Sequence, residues 1–287
     1  AVLQLREAVK NDGDLLCVVA QVQLARGDVG GATDTLRAIE ASSGPASAGA
    51  LARLAIMAQQ IDADYARAVG ELAGRLGAQG DQFAVAEAIA AGRRGDLDEG
   101  LRILDEAIAS ATTENRLNLE RARAQYLRSI DQRRALAALR ELADREPGNV
   151  LVQTDLLNHP LAWEDCAVAG EALRRLGALV GHESSLWKTF EARRLLVCDG
   201  SAGAAANALL LLTPVLQADP MAVEPRLLAA DADLALEDRA SAITRLFEYV
   251  NRDGRDVRVH IRLVPLLRQA GRPGDAQSLL LRMAQIE

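Results

Sequence analysis

The sequence predicts an all-α protein, a solenoid of antiparallel helix pairs with no sheet. Three observations carry that expectation. Ala208, Ala242 and Ala276 are 34 residues apart, and so are Leu212, Leu246 and Leu280, and Val215, Tyr249 and Met283. Spacings of four and three mark one stripe of a helix, and their return after 34 residues marks a unit of about two helices. Breaks at Asp28, Asp62, Asp96, Asp131 and Asp165 follow at intervals of 34, 34, 35 and 34. Composition agrees: of 287 residues 49% are hydrophobic but only 3% aromatic, so helices can approach over small side chains where a β-sandwich would need β-branched and aromatic ones.

In order along the chain, residues 1–10 read as a short helix, the second of a pair that begins upstream. Asn11-Asp12-Gly13-Asp14 stops it and caps the next, which runs from about Leu15 to Ala25. Gly27-Asp28 breaks that helix, and a partner carries Ala32, Leu36 and Ile39. Each later aspartate break is followed four residues on by Ala66, Gly100, Ala135 or Ala169. The aspartate can accept from N–H groups that lack an intrahelical partner, and the small residue lets the new helix lie against its predecessor. From Ala169 to Ala208 the interval lengthens to 39, which places five extra residues at Val197-Cys198-Asp199-Gly200-Ser201. Regular breaks return at Glu237-Asp238 and Gly271-Arg272, and the last helix spans about Pro273 to Ile286. The expected repeats are about 13–46, 47–80, 81–115, 116–149, 150–183, 184–222, 223–256 and 257–287 of a single solenoid.

Departures from the pattern predict irregular curvature. Asn158-His159-Pro160 cuts one first helix short, because proline cannot donate the backbone bond. Pro214 and Pro265 fall inside helices and should kink them, and Arg53 sits at a core position of the second repeat.

These residues resemble the tetratricopeptide repeat (TPR) family. Gly95-Asp96, Leu104, Ala107 and Ile108 match its pattern in one repeat, and Tyr126, Ala135, Leu139 and Pro147 in the next. Trp187 falls on the family's tryptophan position and Asp219-Pro220 on its ending, so the resemblance covers essentially the whole chain as about eight degenerate repeats. It implies a right-handed superhelix whose first helices line a groove for a peptide or partner protein. Some members grip a C-terminal carboxylate with a lysine and asparagines. Lys188 stands at the lysine position here, but Ala192 stands where asparagine should follow.

Little in the sequence suggests chemistry. His159, His182 and His260 are isolated, without metal-site spacing. Cys17, Cys166 and Cys198 are odd in number and widely separated, which suggests small buried hydrophobes in a reducing compartment. The glycine-rich Gly27-Asp28-Val29-Gly30-Gly31 matches no phosphate loop. We therefore expect no enzyme and no cofactor. The net charge of −7 argues against a nucleic-acid binder, and no apolar run is long enough to span a bilayer.

Binding is the positive expectation. Positive charge is almost all arginine, and Arg121, Arg128, Lys188, Arg193, Arg194, Arg258, Arg262 and Arg268 on first helices are the candidate partner-binding residues, since guanidinium pairs with carboxylates in bidentate fashion. The expected role is a protein–protein scaffold, by analogy part of a larger bacterial protein of envelope or exopolysaccharide assembly. The alternative is a recruiting arm of an enzyme or transcription regulator. Neither end carries a polar cap, which implies an excerpt of a longer protein or self-association through the ends.

Overall fold

The computed structural model describes residues 9–42, 44, 46–75, 81–252 and 254–283. The expected helix over 1–10 and the end of the last helix fall largely outside them. The described residues are helical throughout and contain no strand. They form two compact units, divided between Leu142 and Ala143.

The first unit holds α1 (Gly13–Ala25), α2 (Val29–Ala41), α3 (Ala48–Ile61), α4 (Ala63–Arg75), α5 (Asp81–Arg93), α6 (Leu97–Ser110) and α7 (Thr113–Leu127). Helix α8 (Gln132–Arg145) carries the division. The second unit continues with α9 (Val150–Leu157), a 3₁₀ turn (Pro160–Trp163), α10 (Cys166–Val180), α11 (Ser185–Arg194), a π-helical turn (Leu195–Asp199), α12 (Ala202–Ala218), α13 (Val223–Ala235), α14 (Arg239–Asn251), α15 (Val257–Gln269) and α16 (Pro273–Met283). Odd-numbered helices up to α7 in the first unit, and α9, α11, α13 and α15 in the second, are the first helices of successive pairs. Neighbouring first helices lie side by side: α1 on α3, α3 on α5, α5 on α7, α11 on α13 and α13 on α15.

Helix breaks are built as the spacing predicts. Asp28, Asp62, Asp96 and Asp238 each accept from the N–H three residues on, at 2.8–3.1 Å. Asp131 and Asp165 accept from two successive N–H groups. At four breaks the backbone also closes a Schellman turn, with the N–H of Asp28, Asp96, Asp238 and Arg272 donating to the carbonyl five residues back. That turn needs a left-handed residue before the cap: Gly27, Gly95 and Gly271 supply it at φ 74°, 87° and 71°. Glu237 adopts φ 63° at the same place without a glycine's freedom.

The small residues that follow are all buried, with Ala32, Ala135, Ala169, Ala208, Ala242 and Ala276 at 0% exposure. Around them, the first unit gathers Leu16, Leu24, Ile39, Leu51, Leu54 and Leu72 into one core. Tyr65 ties adjacent pairs by donating its hydroxyl to the Ala32 carbonyl at 3.1 Å. In the second unit Leu246, Leu263 and Leu267 join Ala242 and Ala276. Arg53, expected at a core position of the second repeat, is exposed instead.

Irregularity falls where the sequence puts it. Helix α9 ends after eight residues, and Pro160 opens the 3₁₀ turn. The five-residue slip near Cys198 is taken up by the π-helical turn, the left-handed Gly200 and the Ser201 cap of α12. Helices α12 and α15 run on through Pro214 and Pro265.

Cysteine is the correction. Cys166 and Cys198 are joined in a disulfide with Cα atoms 5.8 Å apart, instead of acting as separate buried hydrophobes. Spacing alone concealed it, because 32 residues of chain separate the two. The visible signal was that Asp165-Cys166 and Cys198-Asp199 occupy the same turn of adjacent pairs. Cys17 does behave as expected: it is fully buried, and burial, helped by the Asp14 charge, pushes its thiol up to about 12.

Candidate partner-binding site

Two regions present themselves, one in each unit. In the second unit, helices α11, α13 and α15 bring together most of the basic residues singled out from the sequence. Glu224, in the first turn of α13, accepts from Arg193 of α11 and, at 3.4 Å, from Arg258 of α15. Arg262 of α15 pairs with Asp231 of α13, the preceding first helix. Glu224 and Arg258 stand 34 residues apart, at the same register of neighbouring first helices, whereas the Arg193–Glu224 and Arg262–Asp231 pairs, 31 residues apart, are offset from it.

Arg193 is held most firmly. Its guanidinium lies 5.5 Å from the Trp163 ring centroid and 6.0 Å from that of Phe190, and its side chain is 19% exposed. Arg194 makes a two-pronged contact with Glu191 at 2.8 and 2.6 Å, which holds the guanidinium above its usual range. Arg258 does the same with Asp256, raising the arginine and holding the aspartate below the ordinary carboxylate value. Lys188 reaches Glu183 at 2.7 Å. Arg268 is exposed on the last turn of α15. Arg121 on α7 and Arg128, which caps the C-terminus of α7, are half-buried in the first unit. The eight residues therefore do not form one cluster, and most of the six in the second unit already face carboxylates of this chain.

One cation that the sequence did not single out is wholly structural. Arg226 is 2% exposed and donates to the carbonyls of Arg245 and Pro220, and burial lowers its proton affinity. Histidines are structural too. His159 and His260 are buried, the latter with Nδ1 2.9 Å from the Asp256 carbonyl, and His182 lies against Trp187 at 4.6 Å.

The second region is a cavity of about 420 Å³ in the first unit, between α5, α6 and α7. Val85, Ile89, Leu97, Leu104, Ala122 and the Tyr126 ring form apolar walls, with Arg93, Gln125 and Ser129 at its edge. Tyr126 reaches its depth because two glycines make room: a Cβ on Gly100 would meet the hydroxyl at 2.0 Å, and one on Gly92 at 2.6 Å. That hydroxyl is buried with no hydrogen-bond partner among the described residues. Burial pushes it above the ordinary tyrosine value, and the charges of Asp96 and Asp98 add to the shift. The sequence placed Tyr126 at a family position and Gly100 four residues after the Asp96 break, but gave no means of seeing how closely they meet.

No protein-family model and no curated protein sequence matches the chain. Solved structures do. A monomeric IFIT1 mutant with Gppp-AAAA aligns with 96% of this chain and 69% of its own at 14% identity, with a TM-score of 0.53. The APC/C hetero-tetramer Cut9–Hcn1 aligns with 97% of this chain and 51% of its own, also at 14% identity, with a TM-score of 0.51. Both are helical-repeat proteins of the TPR type.

The fold is TPR-like. In TPR-like terms, the ion-paired residues lie on first helices, and the cavity lies between two first helices and the second helix α6. The likeness at this identity concerns the fold alone. Among the described residues, no helix of this TPR-like chain is long and apolar enough to cross a membrane.

Proposed function

We propose that the protein is a non-catalytic interaction scaffold that takes a peptide or partner protein on its first-helix faces. The observation that carries this is where large apolar side chains remain exposed. On first helices, Leu15 and Val18 on α1, Leu151 on α9, Leu186 on α11, and Val257 and Ile261 on α15 are 37–61% exposed; Leu179, Leu210, Leu280 and Leu281 are exposed on the second helices α10, α12 and α16. Apolar residues left at the surface beside ordered charges are what a protein partner covers. The ion-paired set of Arg193, Glu224, Arg258, Asp231 and Arg262 supports selection among partners by charge.

The net charge of −7 supports a protein partner over a nucleic acid, although one similar structure holds Gppp-AAAA. The Cys166–Cys198 disulfide favours an oxidising compartment, and with it an envelope or extracellular assembly role over a cytosolic recruiting arm.

Panning a displayed peptide library against the full chain tests the reading. A shared motif binding with one-to-one stoichiometry is expected, as is no binding of labelled Gppp-AAAA. For an acidic motif, Arg258→Ala with Arg262→Ala weakens binding more at low salt than at high salt. Failure of a folded chain to enrich any peptide overturns the proposal.

A further inference from the structure

Within the scaffold reading, on which its effect on binding rests, we infer that the Cys166–Cys198 bond is a redox-operated clasp: it sets where Arg193 stands on the first-helix face. Three features tie the bond to that arginine.

Contact comes first. The Leu157 carbonyl accepts from Trp163 Nε1 at 2.7 Å and from Arg193 Nη1 at 3.4 Å, so the 3₁₀ turn and the end of α11 meet at one oxygen. Cys166 lies three residues beyond Trp163, Cys198 lies five beyond Arg193, and the disulfide joins the two segments just past that meeting point. On its other side Arg193 binds Glu224 of α13.

Anchorage comes second. No residue of the π-helical turn Leu195–Asp199 is buried. Leu195 and Leu196 pack only partly against the α11–α12–α13 core, and Val197 is 54% exposed. The Gly200 N–H closes the turn on the Leu195 carbonyl at 3.0 Å, a wide winding of the kind found at functional sites. With so little packing, the covalent bond is the turn's main attachment to α10.

Access comes third. Cys166 is exposed and Cys198 half-buried, whereas Cys17 is fully buried. A dithiol reductant can therefore reach the bond in the folded chain. Its first thiolate attacks one sulfur and releases the other, and its second thiolate then breaks the mixed disulfide. The dithiol leaves as a disulfide, and its two protons end on Cys166 and Cys198. Once the bond is open the turn is released, and the end of α11 loosens from the Leu157 carbonyl and from Glu224. A partner reading that face meets a fixed Arg193 only in the oxidised chain.

The test compares the full chain before and after dithiothreitol, without denaturant, with Cys166→Ser and Cys198→Ser as permanently open forms. At labelling times too short for global unfolding, hydrogen exchange at residues 193–200 is expected to rise about tenfold or more on opening. Exchange in α14–α16 should stay unchanged in the same window. Coupling between Arg193→Ala and Glu224→Ala in a double-mutant cycle should be present in the oxidised chain and lost in reductant. A bond that only restrains the unfolded chain leaves that coupling alone. Panned peptides whose binding depends on Arg193 should bind the open forms about threefold or more weaker, and reductant should not alter their binding to the serine variants.

A bond that resists dithiothreitol until the chain unfolds, unchanged exchange at residues 193–200, or coupling that survives reduction overturns the clasp whatever the peptides do. If the clasp opens but every panned peptide binds both forms equally, control of binding falls and the scaffold reading stands. If a folded chain enriches no peptide, the scaffold reading falls and control of binding falls with it.

Discussion

Cys166 and Cys198 are covalently joined across adjacent helix pairs, fixing the first turn of α10 to the π-helical turn that ends α11. The bond closes a loop with a sequence separation of 32 residues, and closing it in the unfolded chain removes entropy equivalent to about 4 kcal/mol. Cys198→Ser should lower stability by about that amount in urea denaturation. Reductant should destabilise the wild type similarly and leave the variant unchanged; equal behaviour of the two in reductant-free buffer would count against the bond.

Glu224 serves two arginines, one on each neighbouring first helix. Glu224→Ala leaves Arg193 partly buried without its carboxylate, and the partial exposure of the group limits the cost to about 1 kcal/mol. Coupling with Arg193→Ala in a double-mutant cycle should exceed coupling with Arg258→Ala, since Arg258 retains Asp256.

Glu237 holds the left-handed position that glycine occupies at three equivalent breaks. Glu237→Gly should therefore stabilise the protein by about 1 kcal/mol despite glycine's entropy in the unfolded chain. A lower melting temperature for this variant would show that the Glu237 side chain contributes more than its backbone strain costs.

Ala242 and Ala135 are fully buried where a second helix meets its neighbours. Leucine at either should overpack and cost about 1–3 kcal/mol, measured by denaturant unfolding. Alanine at Arg53, which is exposed, should be close to neutral by the same measurement.

Glu171 accepts from Arg174 and Arg175, and these hydrogen bonds lower its carboxyl from 4.5 to about 2. A depressed carboxylate contributes stability that is present above pH 4.5 and is lost as pH falls toward 2. Glu171→Gln should flatten the stability profile in that window and leave the slope above pH 5 unchanged. An identical acid slope in wild type and variant would refute the assignment.

Much of the fold was legible because its signals are local or periodic. A capping aspartate acts on N–H groups within three residues, so Asp28, Asp96 and Asp238 announce helix starts wherever they stand. Ala242 and Ala276 recur because one helix crossing is built repeatedly at the same separation. Even the slip near Cys198 could be located by laying the 34-residue interval along the chain, although its form as a π-helical turn could not.

The candidate sites were less legible, for a physical reason. Arginine on a helix face reads the same in sequence whether it faces solvent or a carboxylate one repeat away; Arg193 and Arg262 acquired partners only when α13 came alongside α11 and α15. The disulfide and the Tyr126 cavity likewise depend on side chains from separate helices meeting at a particular distance. The sequence by itself determined the helices, their caps and the interval that pairs them. Tertiary packing alone decided which charges were neutralised, which cysteines joined, and where space was left between first helices, because each of these depends on distances across helices that no local pattern encodes.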